Sequence, residues 1–233
     1  MGYKTELHCH TSDISPCASN SAECLAKKHI DAGYSTVVLT NHATSGIRRR
    51  VSGDAPWEDF VRKYFDAAEK VRGYADGRLN VLCGMEISFD REGPNDYLVF
   101  GADEAFCLAH PDMFEMDHRS FCALARENGL LFIQAHPMRF GIVTVSPDFV
   151  DGYEVFNGHP GQRSHNSLAQ MWAEHFTEHE LILTSGSDNH YTEAMPNSGI
   201  VTDEPITTDA ELIRVLRSGR YELIRSPLGE MEY

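Results

Sequence analysis

Nowhere does the chain approach the roughly 20 consecutive apolar residues that a membrane-spanning helix needs, and its opening, Met1-Gly2-Tyr3-Lys4-Thr5-Glu6, has no apolar signal core. No membrane contact is expected, and the chain reads as cytoplasmic. The six cysteines, at positions 9, 17, 24, 83, 107 and 122, form no Cys-X-X-Cys pair. In a reducing compartment they are expected to be free thiols, which argues against a disulfide framework. Positive charge is scarce too: 20 Lys and Arg face 35 Asp and Glu, a net charge of -15. Because phosphate neutralisation by Lys and Arg supplies most of the affinity for a nucleic-acid backbone, this balance disfavours a nucleic-acid partner. Neither Gly-X-Ser-X-Gly nor Gly-X-X-X-X-Gly-Lys occurs, so no esterase elbow or nucleotide P-loop competes, and covalent catalysis is not expected.

What is present is the composition of an ordinary globular enzyme, 233 residues with 42% hydrophobic and 24% charged. A chain of this length forms one domain when the fold is a barrel, so a single domain over 1–233 is expected. Apolar, β-branched runs alternate with helical patterns throughout, as repeated βα units and a parallel sheet require. The runs predict seven strands, over 3–9, 35–40, 80–87, 97–101, 130–135, 153–156 and 181–185. Helices are predicted over 22–32, 57–74, 120–128, 167–176 and 209–218, several ending where Gly follows a polar residue, as at Ala32-Gly33 and Asn128-Gly129.

The placement of reactive side chains carries the functional reading. His8 and His10 end the first predicted strand, His42 follows the second, Glu86 closes the third, His136 follows the fifth, and Asp188 and His190 follow the seventh. In a parallel barrel the carboxyl ends of the strands converge on one face, which carries the active site. Leu7-His8-Cys9-His10-Thr11 sets two imidazoles two residues apart, on one side of an extended chain, where one cation can take both. Ser187-Asp188-Asn189-His190 repeats that spacing after Gly186. Five strand ends finishing in His, Asp or Glu point to a metal site. Mixed imidazole and carboxylate donors suit zinc, manganese or iron, whereas calcium and magnesium prefer all-oxygen shells.

The segments LHCHT, TNH, GMEIS, QAHP, EVFNG and GSDNH, in this order, resemble the PHP (polymerase and histidinol phosphatase) family of metal-dependent phosphoesterases over roughly residues 5 to 219. The resemblance implies an α/β fold, a distorted (β/α)7 TIM-like barrel with its metal site at the carboxyl ends of the strands. It implies two or three divalent ions: one on His8, His10, Glu86 and Asp188, a second on Glu86 and His136, and a third on His42 and His190, with Glu86 bridging the first two. Two patterns depart from the family. Where relatives carry an Asp or His after the first His pair, this chain offers Asp13 or Cys17. Before the fourth strand, where a His is common, it has Asp96, with His110 in the next loop as the alternative.

Two such ions would activate a water for in-line attack on phosphorus, with Asp188 or His190 moving the proton. Arg139, three residues past His136, and Arg163 are the candidate phosphate contacts, because a guanidinium fork suits phosphate. Arg48-Arg49-Arg50 reads as a solvated loop run, and Glu154 as a residue of the pocket floor behind the ligands. The resemblance implies hydrolysis of phosphate monoesters, or cyclic and other diesters, and the acidic balance and small size favour a small phosphorylated metabolite over a polymer as the substrate. The alternatives are a nuclease acting on oligonucleotide ends and a non-catalytic metal-binding PHP module.

Overall fold

In the computed structural model, which describes residues 2–226, alternate residues of several strands face two different clusters of apolar side chains. Met1 and residues 227–233, the ends of the expected domain, lie outside the described residues. The strands are β1 (Tyr3–Glu6), β2 (Tyr34–Leu39), β3 (His42–Ala43), β4 (Asn80–Cys83), β5 (Met85–Ile87), β6 (Tyr97–Phe100), β7 (Leu131–Gln134), β8 (Gly152–Asn157), β9 (Ile182–Gly186), β10 (Gly199–Thr202) and β11 (Glu222–Ile224). The helices are α1 (Ala22–Asp31), α2 (Ser45–Ser52), α3 (Trp57–Ala75), α4 (Glu104–Ala109), α5 (His118–Glu127), α6 (Asn166–His175) and α7 (Asp209–Ser218). Val38, Leu82, Leu98 and Ile133 join one cluster enclosed by the strands. Their neighbours Val37, Leu39, Val81 and Val99 join the other, with Leu25 of α1 and Phe60 and Val71 of α3. That period-two division is what a sheet covered by helices demands. Leu212 and Leu216 of α7 join the enclosed cluster.

The strands form two sheets, ordered β11-β10-β1-β2-β4 and β3-β5-β6-β7-β8-β9. β3 continues the line of β2, and β5 continues that of β4 across Gly84, so the two sheets share two staves. The ring closes on the other side through backbone. Asp188 N–H donates to His8 O at 2.8 Å, and His10 N–H donates to Asn189 O at 3.2 Å. The result is a distorted barrel whose staves are β1, β2–β3, β4–β5, β6, β7, β8 and β9, with β10 inserted against β1 at the opposite end.

The sheet is mixed, contrary to the parallel arrangement expected from the alternation. β6 runs antiparallel to both β5 and β7, and β10 runs antiparallel to β1 and β11. Only residues 88–96 separate β5 from β6, without a helix, and a parallel return needs a crossover of about a dozen residues or more. The reversal puts the start of β6, with Asp96, on the same face as the ends of its neighbours. The first strand also stops at Glu6 and not at Cys9, because Glu6 Oε1 accepts the N–H groups of Leu7 and His8, each at 3.0 Å, in place of ladder partners. Arg48, Arg49 and Arg50 lie in α2 and not in a loop: Thr44 caps that helix by accepting Ile47 N–H. Among the described residues no helix is long and apolar enough to cross a membrane.

Closure depends on Gly186, where a Cβ would lie 2.3 Å from His8 Cβ and 2.6 Å from Glu154 Oε1. Overfilling a packed contact costs about 1 to 3 kcal/mol. Gly186→Ala should therefore lose at least that much unfolding free energy in urea, and an unchanged midpoint would show that β1 and β9 can separate freely.

Candidate metal centre

Each candidate ligand is held where a strand ends. His8 and His10 follow β1, His42 opens β3, Glu86 lies in β5, His136 follows β7, and Asp188 and His190 follow β9. His136 and Asp188 adopt left-handed backbone, at φ 29° and 47°. For a non-glycine residue this costs about 1 to 3 kcal/mol, a strain that gathers at functional sites. The surroundings hold it: His136 N–H donates to Glu154 Oε2 at 2.9 Å and Asp188 N–H to His8 O.

The seven side chains converge. His8 Nε2 lies 3.2 Å from Glu86 Oε1 and 3.5 Å from Asp188 Oδ1. His10 Nε2 lies 3.4 Å from Glu86 Oε2 and 3.3 Å from Asp188 Oδ1. His136 Nε2 is 3.0 Å from Glu86 Oε1, and His42 Nδ1 is 2.8 Å from Glu86 Oε2. The Nε2 atoms of His42 and His190 approach to 3.4 Å. Three groups of donors are close enough to share an ion: His8, His10 and Asp188; His8, Glu86 and His136; and His10, His42 and His190.

Whether these residues fit a metal can be tested on their unused atoms. His8 Nε2, His10 Nε2 and Glu86 Oε2 are buried and make no hydrogen bond, an arrangement that proteins avoid because each such atom costs about 1 to 3 kcal/mol. The opposite ring nitrogens are all engaged. His8 Nδ1 pairs with Glu154 Oε1 at 2.9 Å. His10 Nδ1 lies 3.2 Å from Ser15 Oγ, whose own hydrogen goes to Asn41 Oδ1 at 3.0 Å. His190 Nδ1 donates to Asp188 O at 2.9 Å. Each bond fixes the proton on Nδ1 and leaves the Nε2 lone pair facing the cluster, as metal-binding histidines require. The donor separations also fit, since bonds of about 2.1 Å to one ion set neighbouring donors about 3 to 3.5 Å apart. The residues fit a divalent metal.

The charge arrangement agrees. Burial alone would depress the His8 imidazole, but the carboxylates of Glu154, Asp188 and Glu86 raise it well above its ordinary range. Burial would raise Glu86, yet His8 and His42 hold it well below the usual carboxylate range. His10 is pushed well down by burial and by His42 and His190. Buried carboxylates here take compensation from imidazoles, and a dication would supply the same compensation while displacing protons.

The model of the PHP domain matches residues 6–222. The chain belongs to the PHP family. None of the curated proteins matches it. Among solved structures it is similar to a two-domain protein of Bacteroides vulgatus ATCC 8482 containing a predicted PHP-like metal-dependent phosphoesterase, with TM-score 0.66 and 14% identity over 97% of this chain and 65% of that one. PsfC of Pseudomonas syringae PB-5123 is similar with TM-score 0.69 and 11% identity over 98% and 94%. So is the lesion-specific endonuclease PfuEndoQ of Pyrococcus furiosus, with TM-score 0.65 and 12% identity over 96% and 58%. This chain thus spans less than two thirds of the first and third of these proteins.

The four residues left open by the PHP motifs separate clearly. Asp13 is turned outward, paired with Lys70. Cys17 lines the cavity over the cluster, together with His42, Asp96, Arg139 and His190. Burial would raise its thiol, but hydrogen bonds with His190 and His42 bring it down to about 6. Asp96 Oδ2 lies 3.8 Å from His136 Nε2, whereas His110 is spent on Phe106 O at the end of α4. Because β6 is reversed, α4 leaves from the far end of the barrel and His110 cannot swing in. Arg139 reaches the site: Nη2 donates to Asp188 Oδ2 at 2.7 Å and to Asn157 Oδ1 at 2.9 Å. Arg163 is exposed and lines an adjoining hollow with Asn157, His159 and Asn197.

Sequence reasoning missed the supports. Glu6 Oε1 accepts three backbone N–H groups, from Leu7, His8 and, at 2.9 Å, Ser187, so one carboxylate ties β1 to the end of β9. Its only signal was an acid closing the strand that leads into His8 and His10. Lys28 had none. Its buried ammonium is surrounded by Asn20 Oδ1, Asn189 Oδ1, Tyr191 O and Ala194 O at 2.6 to 3.0 Å, anchoring the segment that carries Asp188 and His190. Glu154, read as a floor residue, orients His8 and His136. Losing such an orienting partner typically lowers metal affinity about 10 to 100-fold. Calorimetric zinc titration of Glu154→Gln should read a loss in that range, and unchanged affinity would reduce Glu154 to packing.

Proposed function

We propose that this PHP protein hydrolyses phosphate monoesters, or cyclic and other diesters, of a small phosphorylated metabolite, using two or three zinc, manganese or iron ions. The observation that carries the reading is the set of buried donor atoms without hydrogen bonds on His8, His10 and Glu86 beneath an open cavity of about 330 Å³. A cavity of that size takes a phosphoryl group and a small organic part. His8, His10, Glu86 and Asp188 would hold one ion, Glu86 and His136 a second, and His42 and His190 a third.

Bound there, the ions lower the pKa of water and stabilise charge developing on the phosphoryl oxygens. The chain's own groups bind, orient and move protons. Arg139 lines the cavity with its side chain still partly exposed, so its guanidinium can meet a substrate phosphate. His190 directs Nε2 at His42, where the third ion would sit, and keeps its proton on Nδ1 against Asp188 O, so Nδ1 is the nitrogen through which it can pass a proton. Together with Asp188 it is the group we assign to proton movement. Arg163, in the adjoining hollow, is assigned to the part of the substrate remote from phosphorus. The six free thiols support a cytoplasmic location.

An endonuclease among the structural neighbours favours the second reading, a nuclease, which the sequence suggested would act on oligonucleotide ends. The net charge of -15 weighs against it, since little cationic surface remains for a polymer backbone. Two measurements test the proposal. Elemental analysis of protein never exposed to chelator should find at least two divalent ions per chain, and a screen of phosphorylated metabolites and short oligonucleotides should show turnover on the former that chelation abolishes. Less than one ion per chain, with no turnover on adding manganese or zinc, overturns it. Arg139→Ala should keep its ions and lose about 10 to 100-fold in kcat/KM, the effect of a charged hydrogen bond of about 1.5 to 3 kcal/mol, with Arg139→Lys restoring only part. Unchanged kinetics would make the arginine a strut for Asp188 alone.

A further inference from the structure

The segment between His10 and α1 doubles back across the site. Ser15 N–H donates to Thr11 O at 2.9 Å, Ala18 N–H to Ser15 O at 3.0 Å, and Ser19 N–H to His190 O at 2.7 Å. Asn20 Nδ2 continues the contact, donating to Asn189 Oδ1 at 3.0 Å. This path carries residue 17 over the two imidazoles that stand apart from the deeper carboxylates. Cys17 lines the cavity beside His42 and His190. The other cysteines are elsewhere: Cys9 faces Val38 O, Cys24 faces Asn20 Oδ1, and Cys83, Cys107 and Cys122 are buried.

Ring nitrogens converge beside the thiol. The Nε2 atoms of His42 and His190 meet at 3.4 Å, and His190 already uses Nδ1 as a donor. His10 Nε2, fully buried and without a partner, points into the same group. Three imidazoles with a reachable sulfur make a soft, nitrogen-rich donor set, unlike the carboxylate-bearing sets of His8, Glu86, Asp188 and His136. We propose that Cys17 is a thiolate ligand of the ion held by His42 and His190, so that this position selects zinc over manganese. The assignment rests on the metal reading of the site. Binding releases the thiol proton to solvent as sulfur takes up the cation, and thiolate donors favour zinc where carboxylate and water favour manganese.

Cobalt(II) replaces zinc and reports on sulfur directly. Metal-free protein titrated anaerobically with cobalt should develop a thiolate-to-cobalt charge-transfer band in the near ultraviolet. Cys17→Ser should lack the band and hold about one zinc fewer per chain, while His8→Ala, which disturbs the deeper ions, should keep the band. On the wild-type protein, alkylation of Cys17 by iodoacetamide, mapped by mass spectrometry, should be slowed by zinc and restored by chelator, a readout independent of how any variant folds. Cobalt uptake without the band, or a Cys17→Ser variant with the full zinc count, overturns the assignment. If the band is absent while phosphate esters are still hydrolysed, only the thiolate fails. A band present with no hydrolysis of any ester sinks the phosphoesterase reading and leaves the thiolate standing. Protein that takes up neither cobalt nor zinc sinks both.

Discussion

Glu86 is a carboxylate with 1% exposure, touched by four imidazoles. An ionised group cannot stay so deep without compensation, and the barrel mouth is organised to provide it. Imidazoles arrive from the ends of β1 and β7 and from β3, and Asp188 arrives from the end of β9 on the far side. None of these elements could be displaced far without stranding a charge. The same demand reaches outward at His8, His10 and His190, each of which presents one nitrogen inward and satisfies the other. Glu154, the Ser15–Asn41 pair and the carbonyl of Asp188 serve as those outer partners.

Barrel closure and site assembly are therefore one event. The backbone hydrogen bonds that join 8–10 to 188–189 are made by the residues whose side chains face the cluster. Glu6 clamps the two strands below that joint, and Lys28 clamps the following segment from outside. Lys28 does so with an ammonium among four neutral oxygens, and burial lowers its pKa. An oxygen cage around a buried positive charge fixes a loop with a directionality that apolar packing lacks. The left-handed backbone of Asp188 lies between these clamps, and that of His136 is held by Glu154.

Such an arrangement divides the cavity chemically. At its floor, carboxylates and imidazoles alternate. At its rim, His42 and His190 lie under Cys17, and Arg139 spans from Asp188 toward the open side. An overall acidic protein can in this way present a locally cationic mouth to an anion once cations occupy the floor.

Much of this was legible in the chain before folding was considered. The seven candidate ligands stand where apolar runs stop, since a strand must be apolar to be buried and a ligand must follow it to face the open end. The motifs His8-X-His10 and Asp188-X-His190 and the PHP segments were accordingly readable by position alone. Most of the strands and helices were legible too, through period and capping, while the short β3, β10, β11, α2 and α4 were not, having too few residues to establish a period. What only the tertiary structure decided was anything set by direction and by distant partners. The reversal of β6 brought Asp96 to the site and took His110 away, because a short hairpin connection leaves no room for a parallel crossover. The folding back of 11–20 separated Cys17 from Asp13, four residues apart in sequence and on different surfaces in space. Glu6 and Lys28 gained their roles from Ser187 and Asn189, more than 150 residues away. Local sequence determines what a residue can offer to chemistry; the closed barrel determines what it is offered to.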